Sequence, residues 1–242
     1  MDTTLVSILI PVYNEEKTLR AIIKAALDAS LPPSCRRELV IVDDGSIDSS
    51  REILKSISDS HVKVIFHSKN QGKSGAIRTA LSHARGDIFL VQDADLEYHP
   101  SHYMRLLEPI IQNRSEIVFG SRFLGTVKDM KLINSLANQL SVRTINLLYR
   151  TNITDFHTCF KVFRRTVLER VSLKTERFCF DTEFTAKALN AGFKIIEVPI
   201  EYTARSRKEG KKITWGQAIE TYGVLFQCWL QNYTKVFLKR SD

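Results

Sequence analysis

The sequence predicts an α/β protein: a mostly parallel β-sheet flanked by helices. Three observations lead there. Short apolar runs rich in β-branched residues alternate with stretches of helical periodicity through Pro100. The runs are apolar at nearly every position, as in strands buried on both faces. Four of them end in polar residues: Pro11-Val12-Tyr13-Asn14-Glu15, Asp43-Asp44-Gly45-Ser46, Asn70–Gly75 and Asp93–Glu97. In a parallel sheet these ends share one edge, where open α/β sheets place their ligands.

Leu5–Ile10, closed by Pro11, reads as a central first strand. Asn14 is expected to cap a helix with Glu15 and Glu16 in its first turn and Leu19, Ile22, Ile23, Ala26 and Leu27 on its buried stripe. Leu31-Pro32-Pro33 stops it. Leu39–Val42 is the second strand, and Asp48 caps a helix carrying Ile53, Leu54 and Ile57. Val62–Phe66 is the third strand, followed by a helix through Ala84, and Ile88–Val91 is the fourth. Beyond Pro100 the spacing predicts a helix over 101–112, a strand over 117–120, a loop over 121–130, a long helix over 131–149 and an extended segment over 154–163. A helix over 181–191 ends at Gly192, and a late strand runs from Lys194 through Pro199 to Tyr202. These elements set the domain boundaries. Residues 1–213 form the main domain, with a nucleotide-binding half over about 1–99 and an acceptor half over about 100–213. Residues 214–242 form a C-terminal amphipathic helix and basic tail.

At 242 residues and 43% hydrophobic, the chain can bury a sizeable core. Its net charge of +8 suits a partner carrying phosphate. Nucleic acid is not expected, because helix-turn-helix, zinc-finger and RNP-type signatures are missing. Cys35, Cys159, Cys179 and Cys228 lack CxxC spacing and are read as reduced and buried, which fits a cytoplasmic protein. No signal peptide and no run approaching the roughly 20 apolar residues of a membrane span are expected.

Gln92-Asp93-Ala94-Asp95-Leu96-Glu97 sets two carboxylates one residue apart at the end of a buried strand. Carboxylates so close repel unless a cation lies between them, and oxygen ligands suit Mg²⁺ or Mn²⁺ holding a nucleotide diphosphate. The same residues also suit a polar turn with no ligand. Asn70–Gly75 is not an ATPase phosphate loop, since no glycine stands five residues before Gly72. Asp43 is expected to face ligand while Asp44 holds its loop. Arg122, just past a strand, suits a phosphate or sugar edge, or plain solvent. His157 is kept as an acceptor-site candidate. Glu183, near a helix start beside Asp181, is either a general base or a favourable N-terminal charge. Arg205, Arg207, Lys208, Lys211 and Lys212 surround Gly210 in a basic loop suited to folding over a diphosphate. The aromatic stripe Trp215, Ile219, Tyr222, Phe226, Trp229 and Tyr233 reads first as a helix packed on the core. Its second reading is an interfacial helix on anionic lipid, helped by Lys235, Lys239 and Arg240.

Taken together, these segments resemble the family 2 glycosyltransferases of GT-A fold, in particular the branch like dolichyl-phosphate mannose synthase. The likeness runs from about Val6 to Trp215. It is carried by the four strand-end segments, Gly120-Ser121-Arg122-Phe123, Thr154-Asp155, Thr158–Phe163 and Gly210-Lys211-Lys212-Ile213. The resemblance implies that Pro11, Tyr13 and Glu15 border the base and ribose with Ile41 and Asp43. It implies that Gln92, Asp93, Ala94, Asp95 and Glu97 form the donor-binding loop, with Asp93, Asp95 and Glu97 toward the metal. Arg122, Arg205 and Lys211 would hold phosphates. It further implies Mg²⁺ or Mn²⁺, inversion at the anomeric carbon, and a donor of the GDP-mannose or UDP-glucose type. The acceptor would be a polyprenyl phosphate, or a saccharide hydroxyl with Glu183 as base, at the cytoplasmic face of a membrane. Two departures stand out: C-terminal membrane helices are missing, and Cys159 replaces the usual glycine before an aromatic residue. A sugar-nucleotide pyrophosphorylase is disfavoured because its glycine-rich loop is absent after Ile10. A non-catalytic binding module is disfavoured by the intact carboxylates.

Overall fold

The computed structural model describes residues 3–130, 132–174, 179–205 and 215–238. Seven strands form one sheet: β1 (Thr4–Val12), β2 (Cys35–Asp43), β3 (Val62–Phe66), β4 (Ile88–Val91), β5 (Ile117–Lys128), β6 (Lys161–Arg164) and β7 (Ile195–Thr203). Their order is β3-β2-β1-β4-β6-β5-β7. The helices are α1 (Leu19–Asp28), α2 (Ser50–Lys55), α3 (Gly72–His83), α4 (Tyr103–Ile111), α5 (Leu132–Tyr149), α6 (Phe180–Asn190) and α7 (Trp215–Leu238), with short 3-10 turns at Pro100–His102 and Arg165–Glu169.

β1, β2, β3 and β4 are mutually parallel, as are β5 and β7, and β6 runs antiparallel to both β4 and β5. Six strands therefore point the same way, and their carboxyl ends meet at one edge. The reversed strand β6 brings its amino end, Lys161, to that edge as well. The four polar strand ends expected to converge do so. β1 runs past Pro11 because its ladder to β4 ends at Leu9↔Val91, so a residue without an N–H is tolerated there.

Between sheet and helices lies an apolar core. Ile8, Leu9, Ile10, Val40, Ile41, Phe89 and Leu90 have no exposed surface. Phe184 joins Phe163, Phe180 and Phe119 across the α6 face, with its ring 4.5 Å from that of Phe163. Helix α7 packs on the core through a face that includes Trp229 of the expected stripe, while Phe226 of that stripe is exposed. Leu225 and Cys228 are buried, the Trp229 indole donates to the Leu148 carbonyl (3.1 Å), and the Tyr149 hydroxyl donates to the Leu225 carbonyl (2.9 Å). The side chains of Trp215, Ile219, Tyr233 and Lys235, and residues Lys239 and Arg240, lie outside the described part of the chain. Cys159, Cys179 and Cys228 are buried and Cys35 is partly so; all four are free thiols.

Two expectations change. Asn14 does not cap α1. Its backbone is left-handed (φ 54°) and its Oδ1 accepts from the Ile47 amide (2.9 Å), tying the loop after β1 to the loop after β2, while α1 begins at Leu19. Residues 121–128 are strand, not loop: after an irregularity past Ser121, Thr126–Lys128 pair with Glu201–Thr203. Gly125 allows this, since a Cβ there would lie 2.0 Å from the Ile200 carbonyl oxygen.

Candidate active site

The loop after β4 is held from beneath. Gln92 is buried, donates to the carbonyls of Asp93 and Tyr98 (2.9 Å each) and accepts from the Tyr103 hydroxyl (2.8 Å). All its polar atoms are engaged, so it shapes the loop and does not contact a donor, correcting its expected role. Ala94 is likewise buried. Cys159 sits under the loop, its sulfur accepting from the Asp93 amide (3.0 Å), so it supports the acidic pair and does not line an acceptor pocket. Leu96 takes a left-handed φ of 62°, an uncommon state for a non-glycine residue that cross-bracing around the loop sustains.

This loop aims three carboxylates into the cleft. Both oxygens of Asp93 face the Lys73 ammonium (2.8 and 3.0 Å). Asp95 receives the Glu97 amide (3.1 Å) on one oxygen and Arg205 (3.0 Å) on the other. Glu97 accepts from the Tyr202 hydroxyl (2.7 Å) and the Arg205 amide (2.8 Å), so both its oxygens are taken by groups at and just beyond the end of β7. Glu97, expected toward the metal, thus braces the end of β7 in this arrangement. Arg205 also grips Glu15 through two bonds (2.9 and 3.2 Å). Burial first, then the charges of Asp93 and Glu97, push the Asp95 carboxyl up to about 7 against the opposing pull of Arg205.

On the nucleotide side, Asp44 is wholly structural, as expected. One oxygen meets His67 (2.7 Å) and the Gln71 amide (2.9 Å), and the other meets the Gly72 amide (2.8 Å). Asp43 is buried. Its Oδ1 accepts from the Ser46 amide (3.3 Å), and its Oδ2 has no hydrogen-bond partner among the described residues, with Arg51 at 3.6 Å. A buried acceptor without a donor suits an incoming base or ribose. Pro11 and Tyr13 are half-buried at the end of β1, whereas Ile41 has no exposed surface and sits behind that wall, not on it.

On the acceptor side the structure brings together residues that the sequence reading did not connect. Asp181, at the start of α6, lies 2.9 Å from the Lys161 ammonium and 3.8 Å from that of Lys73. Lys161 is fully buried and also donates to the Phe156 and Thr158 carbonyls (2.9 and 2.6 Å). Asp93, Lys73, Asp181 and Lys161 thus alternate in charge from donor side to acceptor side. Burial alone would raise the Asp181 carboxyl, but Lys161 and Lys73 outweigh it and hold it below its ordinary value. One signal for this was available: a lysine inside the apolar run Phe160–Phe163 must find a carboxylate.

Three expected site residues are not positioned for their roles. Glu183 is buried and bound to Lys187 (2.5 Å) and the Lys174 amide (2.9 and 3.1 Å), which corrects its assignment as a base. Arg122 is locked by Asp155 through 2.7 and 2.8 Å bonds and packs over Tyr202, so its fork is not free to hold a phosphate. His157 packs against Phe156 with the rings tilted by 33°, and burial pushes its imidazole down to about 4, leaving it neutral. Lys211, with Arg207, Lys208, Gly210 and Lys212, lies outside the described residues.

A family model described as "Glycosyl transferase family 2" matches residues 7–172. The chain belongs to that family. Among curated relatives it is 34% identical over 211 residues to a protein of Pyrococcus furiosus named dolichol-phosphate mannosyltransferase, covering 85% of this chain and 58% of the relative. It is 30% identical over 213 residues to an Edwardsiella ictaluri protein named undecaprenyl-phosphate 4-deoxy-4-formamido-L-arabinose transferase, covering 85% and 62%. The chain thus spans about three-fifths of these relatives. Among solved structures, Mycobacterium tuberculosis glucosyl-3-phosphoglycerate synthase, crystallised with Mn²⁺, UDP-glucose and phosphoglyceric acid, superposes with a TM-score of 0.70 at 16% identity over 93% of this chain and 80% of that one. The fold of this family 2 chain is GT-A, with the antiparallel β6 set into its otherwise parallel sheet.

The residues present fit a divalent cation. Among the described residues no three His, Cys, Asp or Glu side chains form a ready-made cage. Mg²⁺-type sites, however, commonly use one or two carboxylates and complete their shell with substrate phosphates and water. Asp93 and Asp95 would supply that pair, and the raised Asp95 carboxyl marks a spot where added positive charge is stabilising.

Proposed function

We propose that this family 2 protein transfers a hexose from a nucleotide-diphosphate sugar to a polyprenyl phosphate at a membrane surface. The observation that carries this reading is Asp181 clamped between Lys161 and Lys73. A hydroxyl acceptor needs a base to take its proton. Here Asp181 is held as a stabilised carboxylate and His157 is a weak base, while Glu183 is engaged with Lys187. A phosphate acceptor arrives already anionic and needs no deprotonation. The ammonium groups of Lys73 and Lys161 favour its approach. The names of the two curated relatives, both polyprenyl-phosphate sugar transferases, support the same acceptor class.

Each part of the chain then has a task. Asp43 accepts from the nucleoside, and Pro11 and Tyr13 border it. Asp93 and Asp95 would hold Mg²⁺ or Mn²⁺, which when bound neutralises the departing diphosphate. Arg205 stands at the same place to add a charge-assisted donor. Lys73 fixes Asp93 and screens it from Asp181. Direct displacement on this template gives inversion.

Membrane contact is supported by α5. Leu132, Ile133, Leu136, Leu140 and Leu147 are 56–81% exposed. At 100° per residue they fall within an arc of about 100° on one helix face, with exposed Arg143 among them. A contiguous apolar stripe with a basic residue suits the headgroup boundary of a bilayer. Among the described residues no helix is long and apolar enough to cross a membrane. Helix α5 begins just after β5, whose Lys128 carbonyl accepts from the Ala204 amide beside Arg205, so the stripe starts next to the cleft.

The test is turnover with GDP-mannose and UDP-glucose, Mn²⁺ and either a short-chain polyprenyl phosphate or free saccharides. Lipid-linked product with stoichiometric nucleotide diphosphate is expected. Transfer to saccharide hydroxyls with none to the lipid phosphate would overturn the acceptor assignment.

A further inference from the structure

The Arg205 guanidinium faces three carboxylates at once. It is doubly bonded to Glu15 (2.9 and 3.2 Å), bonded to Asp95 (3.0 Å), and 3.8 Å from Glu97 through its Nε. That Nε is buried and has no hydrogen-bond partner among the described residues, so the side chain is placed by charge as much as by directed bonds. Glu15 belongs to the loop after β1, Asp95 and Glu97 to the loop after β4, and Arg205 lies just beyond β7. One cation therefore joins the nucleotide side of the cleft to the acidic loop. With Lys73 assigned to Asp93, the remaining group carries three negative charges and one positive when all its carboxyls are ionised. It is two charges short of neutral, and the oxygen of Asp95 that faces the cluster is already taken by Arg205.

We infer that Arg205 is the resident counter-cation of the nucleotide-free site and that its transfer from Asp95 to an incoming diphosphate couples nucleotide binding to divalent-metal binding. The inference rests on the reading that this site takes a metal and a nucleotide diphosphate. Without nucleotide, a divalent ion must compete with a guanidinium held 3.0 Å from Asp95 by two further bonds to Glu15. A diphosphate gives that guanidinium another anionic partner and frees the Asp95 oxygen. By linkage, the metal must then improve nucleotide affinity by the same factor that the nucleotide improves metal affinity. Neither ligand binds well alone, which limits trapping of the acidic loop by free metal and makes donor and metal arrive as one unit.

The experiment is Mn²⁺ titration by electron paramagnetic resonance, with and without GDP or UDP, on the wild type, Arg205→Gln, Arg205→Lys and Arg51→Gln. Arg51→Gln removes a cation from the same edge that touches Asp43 and not Asp95, so it reports the general electrostatic field. In the wild type, nucleotide should tighten Mn²⁺ binding by about tenfold or more, within the usual range for coupled sites. Nucleotide-free Arg205→Gln should bind Mn²⁺ about tenfold tighter than wild type, with a smaller further gain from nucleotide, because only direct ligation by the diphosphate remains. Arg205→Lys should stay near wild type, and Arg51→Gln should change less than Arg205→Gln. No coupling in the wild type overturns the inference without reference to any variant. So does unchanged Mn²⁺ affinity in folded Arg205→Gln, or an equal rise in Arg51→Gln, while Mn²⁺–nucleotide binding itself persists. Absence of Mn²⁺ binding in every protein, with or without nucleotide, overturns the metal–nucleotide reading and the inference with it.

Discussion

Removing the Asp155 carboxylate should damage the fold far more than the donor site. The side chains of Arg122 and Asp155 are 7% and 1% exposed, and the carboxylate also receives the Arg122 backbone amide (3.1 Å). Asp155→Ala strands a guanidinium and an amide inside the protein. Breaking a buried pair by deleting one partner costs about 3–5 kcal/mol, because the surviving charge stays desolvated and uncompensated. For a domain of this size that corresponds to a fall in Tm of roughly 6–20 °C. Arg122→Met in the Asp155→Ala background should recover part of the loss, since an apolar side chain in that space no longer requires a counter-charge. The tilt of Tyr202 against Tyr98 (5.0 Å between centroids) gives the methionine an aromatic wall to pack on. The assay is urea unfolding followed by circular dichroism on the four proteins of the cycle, with the donor KM of each folded variant measured alongside. A phosphate clamp predicts the reverse pattern. If Arg122→Met cost less than about 1 kcal/mol, a surface-type effect, and raised the donor KM tenfold, the buried-pair argument would be wrong and the guanidinium would belong to the donor.

Other expectations rest on the same contacts. Metal binds the deprotonated carboxylate, so Mn²⁺ affinity should rise with pH toward about 7, where the Asp95 carboxyl titrates, and level off above it; Asp95→Asn should flatten the profile, and Asp95→Ala should lose metal-dependent turnover, as should wild type in excess chelator. The same raised carboxyl keeps a proton in the folded state that the unfolded chain releases near pH 4. Its contribution to ligand-free stability is therefore present at low pH and lost as pH rises through about 7, which a series of thermal melts would detect. Glu183→Gln should cost about 1–3 kcal/mol through the lost Lys187 and Lys174 bonds and leave kcat of the folded enzyme near wild type; a large kcat loss with an altered pH profile would reinstate it as a base. Leu136→Glu with Leu140→Glu should reduce co-sedimentation with anionic vesicles by about tenfold or more, given the roughly 1.5–3 kcal/mol associated with burying each leucine, while donor hydrolysis in solution stays unchanged.

How far the sequence can be read depends on whether a residue's partner is near it in the chain. β4 is legible to the residue because a strand buried at every position is apolar throughout and stops where polarity begins, and β3, the edge strand with Lys63 exposed, is legible from its β-branched run alone. Asp44 is legible because the glycine after it signals a loop that needs holding. The reversal of β6 is not readable: four residues carry no mark of direction, and its antiparallel pairing depends on which strands flank it. Residues 124–128 hide their strand because β7 alone pairs with them and most of their side chains are exposed. Long-range charge pairs are the largest gap. Arg122 looks available because its partner lies 33 residues away, and Glu183 looks catalytic because nothing in its own segment shows Lys174 bending back onto it.

Charge arithmetic narrows that gap. A buried ionic group is costly unless paired, so each charged residue inside an apolar run requires a specific opposite charge elsewhere. Lys161 in Phe160–Phe163 is such a residue, and the acid it requires must come from an element reaching the amino end of its strand. Asp181 at the head of α6 satisfies that condition. Once Asp181 is committed to Lys161 and Lys73, it is a poor proton acceptor, which is why the proposed reaction joins the sugar to a group that already carries its negative charge. The proposed acceptor class thus rests on a lysine whose placement first looks like a matter of folding alone.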